Sequence, residues 1–205
     1  MSTQWYPKYF HATVPHSGTR YVNEAFKKHG IKVAQAHSHK GTVKWTDLVF
    51  CHIGPNWIPY LEECVDRSEK AWMTVRSPIH TWGTHYRGVM ATMHDTDYHY
   101  KNKLGQLRGQ YETQMQLASQ FDHIHKVDLD SMSTLGDFVG LELSSDNDTH
   151  SVGSPMKDAI AERDIGRIEA LCKGTDFWTC FLESITPDIF DFYCDLGYDM
   201  WWAYG

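Results

Sequence analysis

Short apolar runs separated by amphipathic stretches set the rhythm of this chain. Residues 9 to 14, YFHATV, predict a first strand, and 19 to 29 a helix, with Gly30 where a terminating left-handed residue belongs. A second strand is predicted over 31 to 37 (IKVAQAH) and a third over 46 to 53 (TDLVFCHI), the latter stopped by Gly54-Pro55. A helix over 57 to 68 leads to a fourth strand, 71 to 76 (AWMTVR), which ends at Ser77-Pro78. From Ile79 the pattern turns helical, and 98 to 120 reads as a long polar helix interrupted by Gly105 and Gly109. HIHKVDL, 123 to 129, is the fifth strand, and SMSTLGDFVGLEL predicts a short capped helix ending near Gly140. The turn formers of 144 to 155 predict a mobile loop. Thr186-Pro187-Asp188 supplies an N-cap, a first-position proline and an acidic first turn for a helix to Leu196, with Gly197 as its stop. The aromatic tail YDMWWAYG is expected to pack against the body.

Strands alternating with helices predict an α/β fold: a mainly parallel sheet of about five strands with crossover helices covering it. The chain has 205 residues, a length that suits a single domain, 1–205, with a core of its own.

Composition narrows the classes. Hydrophobic residues make up 41% and charged residues 22%, and no apolar run approaches the roughly 18 to 20 residues that span a bilayer, so no membrane span is expected. The first residues, MSTQWYPKYFHATVP, lack a basic start and apolar core, which predicts an intracellular, cytoplasmic protein without a secretory signal. Five cysteines with no C-x-x-C pair argue for reduced thiols rather than a disulfide framework or structural zinc. A net charge of −7 disfavours nucleic acid as a partner and confines any anion site to a local pocket.

One such pocket is suggested by the first crossover. A strand ending in Pro15-His16-Ser17-Gly18-Thr19-Arg20 and feeding straight into a helix converges backbone N–H groups on one spot, where the helix dipole adds to them. Phosphate and sulfate suit such a spot; the same turn also occurs in α/β folds with nothing bound. It is not a Walker A loop, having neither its early glycine nor its lysine.

The turn TVPHSGTRYV resembles the 5′-phosphosulfate loop of the sulfotransferases, P-K-x-G-T-T-W. Other motifs follow in that family's order. VFCHIGPNWIPYL resembles the strand end T-H-x-P that carries a histidine base, matched here by His52; MTVRSPIHTWGTHYRG resembles the 3′-phosphate motif, with Arg76 and, eight residues on, Thr84. HKVDLDSMSTLGDFVGLEL is similar to the Y-E-D-L strand and following helix, and KGTDFWTCFLESITPDIFDFYCDLGYD to the closing segment of bacterial members. The matches run from about residue 9 to 199.

The resemblance implies a three-layer, P-loop NTPase-like fold and transfer of a sulfuryl group from 3′-phosphoadenosine-5′-phosphosulfate (PAPS) to a hydroxyl or amine of a small-molecule or carbohydrate acceptor. His52 would be the general base. Pro15, His16, Ser17, Gly18, Thr19 and Arg20 would hold the 5′-phosphate, through the amides of 17 to 20 and the hydroxyls of Ser17 and Thr19; Arg76 and Thr84, closed over by Lys173 and Gly174, would hold the 3′-phosphate, and Tyr21 would either stack on adenine or belong to the core. Where the family's loop carries lysine this chain has His16, so the missing cation is either a protonated His16 or Arg20. Trp57, Tyr60, Trp82 and Tyr86 could form a platform for a sugar ring or a phenol, with core packing expected for at least half of them. No metal is implied: the pairs in HSH (37–39), MHD (93–95) and HIH (123–125) have no fixed third and fourth ligands beside them. Two other readings remain open at this point, a non-catalytic nucleotide-binding protein of the same fold and a small-molecule kinase.

Overall fold

The alternation read from the sequence is realised as a five-stranded, all-parallel sheet in the computed structural model. The structure describes residues 6–15, 17–36, 46–83, 97–144, 155–172 and 176–203, with the backbone alone for 97–104 and 176–177. The chain runs β1 (Tyr9–Thr13), α1 (Thr19–Lys28), β2 (Val33–Gln35), β3 (Leu48–His52), a 3-10 turn (Pro55–Trp57), α2 (Ile58–Arg67) and β4 (Lys70–Val75). Then come α3, described over 78–83, α4 (Asp97–Leu117), a 3-10 turn (Ala118–Gln120), β5 (His123–Lys126) and α5 (Met132–Val139). The C-terminal part is helical: α6 (Pro155–Ala161), α7 (Ile165–Leu171), α8 (Asp176–Ser184) and α9 (Pro187–Asp195).

Sheet order is β2-β3-β1-β4-β5. Because side chains alternate along a strand, Phe10, Ala12, Val49, Cys51, Ala71, Met73 and Val75 face one way and Tyr9, Leu48 and Trp72 the other. The first set packs on α2, α3, α4 and α6 to α9; the second packs on Val22 and Phe26 of α1 and Leu135 and Val139 of α5. The result is three layers. Trp72 is fully buried, its ring stacked between His11 at 5.1 Å and Phe26 at 5.2 Å.

Several expectations change. The long helix continues unbroken through Gly105 and Gly109, because Leu107, Tyr111 and Leu117 bury one side of it and that burial outweighs roughly 1 kcal/mol per glycine. β2 keeps only Val33–Gln35, and β5 ends at Lys126, where Asp130 Oδ2 accepts from the Lys126 amide and starts a turn. Helices α6 to α8 were not anticipated. The α9 cap agrees in detail, with Thr186 Oγ1 accepting from the Ile189 amide and Gly197 left-handed at φ 89. The tail packs as expected: Trp202 is buried and stacks on Phe181 at 5.0 Å. The loop over 144–155 and the HSH and MHD pairs fall wholly or almost wholly outside the described residues. No helix among the described residues is long and apolar enough to cross a membrane.

Candidate functional site

The crossover from β1 leads toward β2, and the one from β4 leads toward β5 on the opposite side. Neighbouring strands whose connections diverge leave a crevice at their carboxyl ends, the usual ligand position of an open parallel sheet. Here that position lies between the ends of β1 and β4, where the chain continues into the Ser17–Thr19 turn on one side and Arg76 on the other.

At the end of β1 the chain turns through Gly18, which is left-handed at φ 87 and caps α1 without any side-chain hydrogen bond. A β-carbon at Gly18 would lie 2.8 Å from Val127 Cγ2, so the turn requires glycine on two counts. With α1 beginning at Thr19, the amides of Thr19, Arg20 and Tyr21 have no acceptor within the helix. Thr19 Oγ1 is shielded from solvent and has no hydrogen-bond partner among the described residues. Open amides, a positive helix end and an orphaned hydroxyl suit a phosphate or sulfate group.

Ser17 of the expected cradle already has partners within the protein. Its amide already donates to Val14 O at 3.2 Å, and its buried hydroxyl lies 3.4 Å from Thr81 Oγ1 on α3. Ser17 therefore ties the loop to α3. Arg20 is exposed on the first turn of α1, and Tyr21 is half-buried against the core cluster beneath that helix. Pro15 borders the turn; His16 lies outside the described residues, as do Thr84, Tyr86, Lys173 and Gly174.

At the end of β4, Arg76 Nε donates to Asp128 Oδ1 at 3.3 Å, and the Ser77 amide donates to Asp128 Oδ2 at 3.0 Å. His80 Nδ1 stands 3.6 Å from the same Oδ2. Burial alone would raise the Asp128 carboxyl, but His80, Arg76 and the Ser77 amide outweigh it and hold the group below the ordinary carboxylate range. The carbonyls just before Arg76 are also fixed: Gln114 Nε2 donates to Thr74 O at 3.2 Å, and Tyr198 OH to Val75 O at 3.0 Å. Tyr193 OH in turn donates to Gln114 Oε1 at 2.7 Å, tying α9 to α4.

His52 closes β3 in register with Thr13, which is itself in register with Thr74, as Thr74 is with His125. One row therefore crosses four strands at the carboxyl edge, on the face under α1, with His52 about 10 Å from Thr74. His11 and His125 on this face are fully buried, and desolvation lowers them to about 3 and about 4, so both are neutral near pH 7.

The expected aromatic platform does not assemble as a unit. Trp82 is fully enclosed, stacked on Phe181 at 4.8 Å and set edge-on to Trp178, so it is a core residue and cannot touch an acceptor. Trp57 and Tyr60 meet edge-to-face at 5.7 Å and remain half-buried beside the end of β3. Among the described residues, no three His, Cys, Asp or Glu side chains are grouped so as to hold a metal ion.

Asp128, His80, Thr81 and the Gln114–Tyr193–Tyr198 network were missed by sequence reasoning. Only Asp128 left a signal, an acid just past a strand end; its partner Arg76 lies 52 residues earlier.

No protein-family model matches the chain, and no curated protein matches it. Among solved structures it is similar to the crystal structure of a sulfotransferase from Alicyclobacillus acidocaldarius, at 12% sequence identity and a TM-score of 0.42, over 82% of this chain and 96% of that one.

Proposed function

We propose that the chain is a PAPS-dependent sulfotransferase acting on a hydroxyl or amine of a small-molecule or carbohydrate acceptor. The observation that carries this reading is the placement, at one switch-point crevice, of an uncapped helix N-terminus with an orphaned Thr19 hydroxyl and of a guanidinium anchored at the neighbouring strand end. A nucleotide bearing phosphates at both ends of its ribose needs two such anion-holding groups a short distance apart.

In this reading the amides of Thr19, Arg20 and Tyr21, with Thr19 Oγ1, hold the 5′-phosphosulfate, and Arg76 takes the 3′-phosphate. His52 accepts the proton of the acceptor. The acceptor oxygen or nitrogen forms a bond to sulfur as the bond from sulfur to the 5′-phosphate oxygen breaks, and the electron pair leaves with adenosine 3′,5′-bisphosphate. Positioning and charge stabilisation supply the rate enhancement, as in phosphoryl transfer. Trp57 and Tyr60, which follow the end of β3, would contact the acceptor.

The loop composition favours one competing reading: with His16 in place of lysine and Arg20 exposed, a protein that binds the nucleotide without turning it over has the same geometry. Thermal-shift titration comes first. Adenosine 3′,5′-bisphosphate at 100 times its Kd should stabilise the protein by about 2.7 kcal/mol, while ATP with Mg²⁺ at equal concentration should do much less. Stabilisation by ATP alone would reject the proposal in favour of a kinase. Sulfate transfer from PAPS across a panel of phenols, amines and saccharides then separates enzyme from binder, the latter giving no product with any acceptor.

A further inference from the structure

The carboxylate of Asp128 meets two consecutive residues at once. One oxygen accepts from Arg76 Nε, the other from the backbone amide of Ser77, the residue immediately before α3. A carboxylate is rigid and planar, so the second bond fixes the orientation of the first. Both side chains are partly shielded, 22% exposed for Arg76 and 21% for Asp128, against 39–61% in the open surface pairs Arg108–Glu112, Arg163–Asp199 and Arg167–Glu162. Exposed pairs of that kind contribute little, whereas a shielded pair anchored to backbone holds a long side chain in one place.

We propose that Asp128 is a positioning residue that presents the Arg76 guanidinium to the 3′-phosphate of the nucleotide. The inference rests on the functional reading above and deepens it. Arginine has a long, rotamer-rich side chain, and one already aimed loses less freedom on binding an oxyanion. A guanidinium has five N–H donors, and the contact with Asp128 is made through Nε. The neighbouring Asp128 charge partly offsets the attraction for phosphate. Two simpler roles make different predictions. A charge counterweight would weaken binding, so its removal would tighten it. A purely structural clamp on the β4–α3 turn would affect every ligand alike.

The test compares adenosine 3′,5′-bisphosphate with adenosine 5′-monophosphate by calorimetry, in the wild type, Asp128→Asn, Arg76→Ala and the double variant. Asparagine keeps the size of the side chain but cannot accept from both donors. Asp128→Asn should weaken the bisphosphate by about tenfold, the equivalent of one charge-assisted hydrogen bond, and leave the monophosphate within about twofold, as for an interaction confined to the other phosphate. Arg76→Ala should lose the same discrimination, and the double variant should lose no more than Arg76→Ala. Tighter binding of the bisphosphate, unchanged binding, or an equal loss for both ligands overturns the proposal. Hydrogen exchange at Arg76 Nε, followed by NMR in the ligand-free protein, should be slow in the wild type and fast in Asp128→Asn. If the wild type shows no preference for the bisphosphate while that proton stays protected, the nucleotide reading has failed; if the proton exchanges equally fast in both proteins, the tether has failed. Either result overturns the inference.

Discussion

Gly18 shows how a single position joins fold to function. Its left-handed backbone would cost any other residue about 1–2 kcal/mol, and Val127 closes the space a β-carbon would need. Gly18→Ala is therefore expected to lower the denaturant midpoint by at least that equivalent and to abolish stabilisation by adenosine 3′,5′-bisphosphate, because the turn that opens the α1 amides must move. His52 makes the complementary prediction. If it is the general base, His52→Ala should reduce kcat by about 10² to 10⁴, the usual contribution of such a group, with bisphosphate affinity within about twofold. Turnover that survives the substitution would place the base elsewhere. Glycine in the β1–α1 turn was legible in the sequence because only backbone geometry is involved. The enclosure of Trp82 was not, since its neighbours Trp178 and Phe181 come from a helix nearly a hundred residues away.

Among the elements, β4 decides how precisely the crevice is built, because its last two carbonyls are held by side chains from elsewhere. Gln114 is fully buried, donating to Thr74 O and accepting from Tyr193 OH. Gln114→Leu keeps the apolar stem and strands both partners, so a loss of about 1–3 kcal/mol in equilibrium unfolding is expected for each buried group left unsatisfied. A change under 0.5 kcal/mol would mean that water replaces the amide. Tyr198→Phe, losing only a hydroxyl, should cost less and leave α9 in place. The strands, the capped helix α9 and the end of α5 at Gly140 were readable because each is specified locally, by apolar runs, a capping threonine or a left-handed glycine. The continuity of α4 through two glycines was not readable, because it is set by what the helix packs against rather than by its own propensities.

Across the whole molecule, the buried histidines set how stability responds to acid. His11 and His125 have folded values lowered to about 3 and about 4 from 6.5, so between those limits the unfolded chain binds more protons than the folded one. Their contribution is fully present above pH 6.5 and is lost as the pH falls from there toward 4 and then 3. Urea midpoints measured at pH 7, 6, 5 and 4 should drop progressively, and His125→Gln should flatten part of that decline; a profile of the same slope in the variant would remove His125 from the account. The chain by itself determined the alternation of strands and helices, the parallel sheet and the glycine turn that opens α1, since periodicity, turn chemistry and crossover geometry act over a few residues. Only the tertiary structure decided the order β2-β3-β1-β4-β5, the crevice between β1 and β4, and the meeting of Arg76 with Asp128. Those depend on which faces bury together and which strand ends become neighbours, and no local stretch of sequence carries that information.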